Sequence, residues 1–381
     1  MDDTGQLALV LTGGGARAAY QIGVLRHLAS RHPGIAPGIL TGVSAGGIMA
    51  AALAARGGAF PDAVRELAAS WQALRIDDVF RVDTKDLASR VMRWGTRLLS
   101  GGAPAPQARS LVDTAPLRDT LRRTYHAGAD GAIAGIGRNV EAGVLRAVAL
   151  TASSYTSGRS VTWVQCRAGA GLEPWSRPQR VSRLCPLTVE HVMASAALPF
   201  LFPAIHVDGE WFGDGGIRLV APLSPAIHLG ARKILAVSTR YARWSEDRAT
   251  MAPPIYPTPA QVAGVLLNAI FLDLLDSDAL RLQQFNTFLD QLPARRRHGM
   301  RHVDLLVLRP SEDLGRLANE FEATLPRAFR FLVRGLGSRD VRSNDMLSLV
   351  MFQHDYIARL MALGEADAAA RADEIAAFLG A

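Results

Sequence analysis

The sequence predicts an α/β protein with a mainly parallel central sheet flanked by helices, extended by helices at its C-terminus. Three observations carry this. Short apolar runs of strand length alternate with longer segments of helical spacing, glycine-rich corners join the first of them, and from about Ser311 onward the pattern turns helical. We read an α/β unit over residues 1–310 and a C-terminal helical extension over 311–381, packed on it.

Gln6 to Thr12 (Gln-Leu-Ala-Leu-Val-Leu-Thr) reads as the first strand, and Ala16 to Ser30 as a helix whose Ala19, Ile22, Leu25 and Leu28 share a face. Gly38 to Val43 is the second strand, followed by an Ala-rich helix from Gly46 to Ala55. Further strand-like runs lie at Arg146–Leu150, Val161–Val164, Lys233–Ser238 and His302–Leu308. Ile205–Val207 and Glu210–Phe212 flank Asp208-Gly209, the dipeptide of a type I′ hairpin. Beyond Ser311, Leu314, Leu317 and Phe321 and then Leu347, Val350, Met351 and Tyr356 recur on helical faces. The piece Ala252-Pro253-Pro254-Ile255-Tyr256-Pro257-Thr258-Pro259 reads as a stiff connector.

Two corners place chemistry where a strand becomes a helix. In Gly42-Val43-Ser44-Ala45-Gly46, Ser44 falls on the turn, and Gly42 and Gly46 let strand and helix approach a strained serine without a clash. The helix that follows aims its unpaired amides and positive dipole end at the hydroxyl, which suits a nucleophile and the oxyanion it generates. In Gly13-Gly14-Gly15-Ala16-Arg17, consecutive glycines leave backbone amides uncovered for a negative oxygen, and Arg17 adds a cation nearby. Gly13, Gly15 and Ala18 also satisfy the dinucleotide fingerprint, so a nucleotide-binding reading competes here. That reading wants an acidic residue about 20 positions further on. No Asp or Glu occurs between Asp3 and Asp62, which leaves only an NADP variant using Arg31.

A serine at its ordinary pKa needs a base. Asp214-Gly215-Gly216 follows directly on the hairpin, so a carboxylate on a rigid ribbon is one candidate. The other is a Ser-Asp-His order, for which His228, His298, His302 and His354 are available. Ser44 follows a single strand–helix unit, and none of these histidines sits in a turn-like loop, so we favour the serine–aspartate pair. It works best if burial raises the Asp214 pKa.

These segments, in this order, resemble the signatures of the patatin-like phospholipases. A fourth block agrees: Ala194-Ser195-Ala196-Ala197-Leu198-Pro199 with Phe202-Pro203, then Pro222-Leu223 and Pro225-Ala226-Ile227. The resemblance spans roughly Gln6 to Ser238, and the one departure is Ala18 where the family usually has glycine. It implies a three-layer α/β fold and a lipid acyl hydrolase with Ser44 as nucleophile, Asp214 as proton acceptor and the backbone of Gly13, Gly14, Gly15 and Ala16 as oxyanion hole. Gly42, Gly46, Gly215, Gly216 and Arg17 are its supporting motif positions. The alternative within the same fold is a catalytically silent lipid-binding or regulatory protein.

Composition narrows the partners. The net charge is +7, with two lysines, Lys85 and Lys233, against 40 arginines, a bias that reads as compositional yet still favours anionic lipid surfaces. No nucleic-acid-binding module is recognisable. Leu87 to Ser100 sets Val91, Trp94 and Leu98 on one face beside Arg90, Arg93 and Arg97, which suits either a membrane-surface helix or a helix burying Trp94. Val262 to Leu275 is too short to span a bilayer and reads as a buried helix or a self-association face, so an oligomer stays open. No secretory signal is visible at Met1–Gly5, so a cytoplasmic enzyme, peripheral at the membrane, is expected. Cys166 and Cys185 have no metal-ligand spacing and read as free thiols, and no cofactor or metal is expected.

Overall fold

A computed structural model describes residues 6–81, 110–241, 274–325 and 345–380, together with Val262 and Leu266. Its strands are β1 (Leu7–Leu11), β2 (Ile39–Val43), β3 (Ala147–Ser154), β4 (Ser160–Cys166), β5 (Ser176–Arg177), β6 (Arg180–Leu184), β7 (Ile205–Val207), β8 (Glu210–Asp214), β9 (Lys233–Val237) and β10 (Asp304–Leu308). They form one sheet in the order β10–β9–β1–β2–β3–β4–β6–β5, with β8 attached to both β3 and β7.

The strands from β10 to β3 run parallel. Parallel pairing needs helical crossovers that cover both faces, so β2 and β3 are buried throughout and β1 is buried beyond Leu7. Beyond β3 the sheet is mixed: β4 pairs β6 in parallel, while β3–β4, β3–β8, β5–β6 and β7–β8 are antiparallel, with only five residues between β3 and β4 and only two between β7 and β8. Such connections are too short for a parallel crossover. The sheet is therefore parallel from β10 to β3 and mixed beyond it. In the β7–β8 turn, Asp208 and Gly209 have φ of 48° and 81°, the two left-handed residues a type I′ turn demands.

The described helices are α1 (Ala19–Arg31), α2 (Ala45–Ala55), α3 (Phe60–Ala73), α4 (Ile76–Val79), α5 (Ala115–Thr124), α6 (Ala134–Glu141), α7 (Val189–Ser195), α8 (Ser224–His228), α9 (Leu274–Gln291), α10 (Leu314–Glu320), α11 (Asp345–Val350), α12 (His354–Ala370) and α13 (Ala372–Leu379). The first helix begins later than its apolar spacing suggests, because Gly15–Ala18 forms a tight 3-10 turn ahead of α1. Leu347, Tyr356, Leu360 and Met361 of the last helices share one apolar core with Leu9 and Leu11 of β1 and Met49 of α2.

The feature of the sheet that matters most for the site is that β3 outruns β2. Val43, the last residue of β2, pairs with Thr151, and the next rung on that edge, Ala152, is taken by Asp214 of β8. β2 and β8 therefore meet end to end along one side of β3, each with its last residue at the junction. Leu87–Ser100, Ala252–Pro259 and most of Val262–Leu275 lie outside the described residues. Among the described residues, no helix is long and apolar enough to cross a membrane.

Candidate active site

Ser44 stands at the junction between β2 and α2 with φ 56° and ψ −131°, a conformation that L-residues avoid and that costs on the order of 1–3 kcal/mol. Its neighbours hold it there. The Ser44 amide donates to both the carbonyl and the hydroxyl of Ser195 at 3.1 Å, while its own carbonyl accepts from Gly47 and Ile48 as α2 begins. Gly46 is required by close approach, since a Cβ at that position would strike the carbonyls of Leu11 and Thr12 at the end of β1. Gly42 lies equally close to the Gly46 backbone.

Asp214 closes β8 and is fully buried. Its amide donates to the Ala197 carbonyl at 2.8 Å, and its Oδ1 accepts from the Gly216 amide at 2.9 Å. Gly215 packs under it against the Thr151 carbonyl. Burial pushes the Asp214 pKa up to about 7, against a smaller downward pull from the Ser44 hydroxyl and the Gly216 amide. Ser44 is thus near enough to act on the carboxyl, although among the described residues Oδ2 has no hydrogen-bond partner within normal distance. Contacts of this kind are commonly long in a resting site and tighten when substrate binds.

The glycine loop lies against the serine. A Cβ on Gly13 would sit 3.1 Å from the Ser44 Cβ and 3.7 Å from its hydroxyl. Among the described residues no backbone carbonyl accepts from the amides of Gly13, Gly14 or Gly15, while the Gly13 carbonyl is held by the Thr239 hydroxyl at 2.7 Å. Ala16 is fully buried behind them, and Ala18 packs into the core without strain. Arg17 departs from the expectation of a cation beside the oxyanion. Its side chain is buried and turns away to Asp345 and Ser348 of α11, because a carboxylate there neutralises a charge that would otherwise be stranded in the interior.

An apolar cavity of about 80 Å³ opens beside Ser44. Ser44, Ile48 and Ala52 recur every fourth residue along one face of α2, Leu67 and Trp71 of α3 and Leu121 of α5 face them, and Gly15, Leu349 and Phe352 line the remaining wall. The arrangement puts a hydroxyl, a buried carboxyl and uncovered amides at the end of a hydrocarbon slot. That combination suits attack on an ester whose acyl part is apolar.

The patatin-like phospholipase family model matches residues 9–227. The chain belongs to that family. No curated protein matches it in sequence. Among solved structures, this patatin-like chain resembles human GIVD cytosolic phospholipase A2, solved with methyl gamma-linolenyl fluorophosphonate, at 13% identity and a TM-score of 0.46, covering 100% of this chain and 60% of that one. It also resembles VipD from Legionella pneumophila (14% identity, TM-score 0.34, 94% and 67% covered). A third is ExoU with SpcU from Pseudomonas aeruginosa (17%, 0.25, 97% and 77%). The patatin-like chain thus spans about 60% of the length of the human enzyme.

Three of the four histidines offered for a triad in this patatin-like chain are engaged elsewhere, and the fourth, His298, is exposed. His228 stacks on Trp175, His302 lies between Asp290 and Asp304, and His354 donates to the Gln72 carbonyl. Cys166 and Cys185 are free thiols, each with its pKa raised by burial. Sequence reasoning assigned no role to Ser195, although it quoted the segment that contains it. Asp345, Ser348 and Leu349 it missed altogether, because nothing in their local pattern announces a contact with a loop more than 300 positions away.

Proposed function

We propose that this chain is a serine lipid acyl hydrolase of phospholipase A type that works through a Ser44–Asp214 dyad. Asp214 accepts the Ser44 proton as the serine oxygen attacks the ester carbonyl, and the amides of Gly13 to Ala16 stabilise the tetrahedral oxyanion. The carbonyl re-forms, the ester C–O bond breaks, and the departing alcohol takes the proton from Asp214. Water then repeats the sequence on the acyl-enzyme and releases the fatty acid.

The observation that carries this reading is the junction on β3, where Val43, next to the strained Ser44, and the buried, pKa-raised Asp214 occupy adjoining rungs. Membership of a phospholipase family supports the substrate class. The acyl chain fits the slot along α2. From Ser44 to Ala52 that slot follows eight residues of helix, about 12 Å at 1.5 Å per residue. The net charge of +7 favours docking at an anionic bilayer surface. Incubation with mixed phospholipids followed by lipid mass spectrometry is the test. Release of fatty acid and lysophospholipid by the wild type, and none by Ser44→Ala, supports the proposal, whereas equal release by both refutes it.

A further inference from the structure

We infer that Arg17 is a positioning residue for the glycine loop, acting through Asp345 and Ser348, so that a C-terminal segment beyond the matched family region sets the oxyanion geometry. The inference rests on the serine-hydrolase reading above.

Arg17 follows the loop by two residues and is 3% exposed. Its Nη2 meets Asp345 Oδ1 at 2.6 Å, and its Nε donates to the Ser348 hydroxyl at 2.6 Å. Ser348, itself fully buried, donates onward to the Asp345 carbonyl at 2.7 Å, and Arg17 Nη2 reaches the same carbonyl at 3.3 Å. The network is closed, so the guanidinium fork has one orientation rather than several. Removing one partner of a pair this buried leaves a charge uncompensated, and the backbone that carries it must move.

The backbone that would move is the loop itself. Gly15 has φ 54°, and the place a Cβ would take is filled by the Leu349 carbonyl of α11. On its other side the loop touches Ser44 through Gly13 and is tied to Thr239. The loop is therefore held between the nucleophile and α11, with the Arg17 network as its anchor on the α11 side. Amides that stabilise an oxyanion have to be placed within about 0.5 Å, so a small slip at the anchor is read at the reacting carbonyl. A contribution of this kind appears in the transition state and hardly in substrate binding.

The test is steady-state hydrolysis of a short-chain nitrophenyl ester by the full chain, measured below the onset of thermal unfolding of each variant. Asp345→Asn keeps the side-chain shape and an acceptor but removes the charge. Arg17→Lys keeps the charge but loses the fork, and Ser348→Ala removes a single bond while sparing the ion pair. We expect kcat to fall about tenfold or more in the first two and severalfold in the third, with KM within about twofold of the wild type. Wild-type kcat in the folded variants, or a loss confined to KM, overturns the inference. Should Asp345→Asn fail to fold, Ser348→Ala alone decides by the same criterion. A wild type that hydrolyses nothing and takes no fluorophosphonate at Ser44 refutes the serine-hydrolase reading instead. An active wild type that dies with Ser44→Ala but is indifferent to Asp345→Asn refutes only the role of Arg17.

Discussion

Ser195 clasps the backbone amide of Ser44. Its hydroxyl accepts from the Ser44 amide at 3.1 Å and donates to the Thr151 carbonyl of β3 at 2.7 Å, so one buried side chain links the Ser44 turn to the strand that aligns it. The energy that keeps Ser44 at φ 56° thus comes in part from α7, which carries Ser195 at its end.

Ser195→Ala removes that bridge while leaving the Ser195 carbonyl in place as a second acceptor. A buried carbonyl loses its donor, so we predict a stability loss of about 1–2 kcal/mol by denaturant unfolding. The turn also relaxes toward ordinary backbone angles, and kcat for a soluble ester should fall about tenfold with little change in KM.

Gly46→Ala tests the approach of α2 to β1. The added methyl meets the carbonyls of Leu11 and Thr12, and neither can retreat because both belong to the central strand or its end. We predict a cost of about 1–3 kcal/mol, seen as a lower denaturation midpoint with an unchanged slope.

Asp214→Asn separates catalysis from stability. The folded pKa of Asp214 is about 7, well above its unfolded value, so the wild type loses stability as pH rises through that range and the buried carboxyl must ionise. The variant carries no such charge. Its melting temperature should exceed that of the wild type at pH 8, exceed it by less at pH 5, and match it near pH 3, while its esterase activity falls by at least about a hundredfold.

The slot along α2 predicts chain-length selectivity. Ala52 lines it about two turns of helix beyond Ser44 and is 7% exposed, so Ala52→Phe should narrow the slot there without touching Ser44. Competition between butyryl and long-chain nitrophenyl esters should show kcat/KM for the long chain reduced about tenfold and that for the short chain unchanged.

What was legible in the sequence was local. The small residues around Ser44 announced its turn, and Asp208-Gly209 announced the hairpin that ends in Asp214. That these two ends meet depends on β3 being longer than β2 and on pairings between residues 108 and 62 positions apart, Val43 with Thr151 and Ala152 with Asp214, and no local pattern encodes it. Arg17 shows the same limit from the other side. An arginine beside a glycine loop reads as an oxyanion cation until its carboxylate, 328 positions later in the chain, is in view. The antiparallel β3–β4 pair was in principle readable, because five residues between the two strands cannot hold a crossover helix.

The rate at which a fluorophosphonate modifies the intact chain, followed by mass spectrometry across pH 5 to 9, tests the central pairing most directly. A single adduct on Ser44, forming faster as pH rises with a midpoint near the Asp214 value of about 7 and suppressed in Asp214→Asn, is the predicted result. An adduct on another residue, or an Asp214→Asn chain that reacts at Ser44 as fast as the wild type, contradicts it.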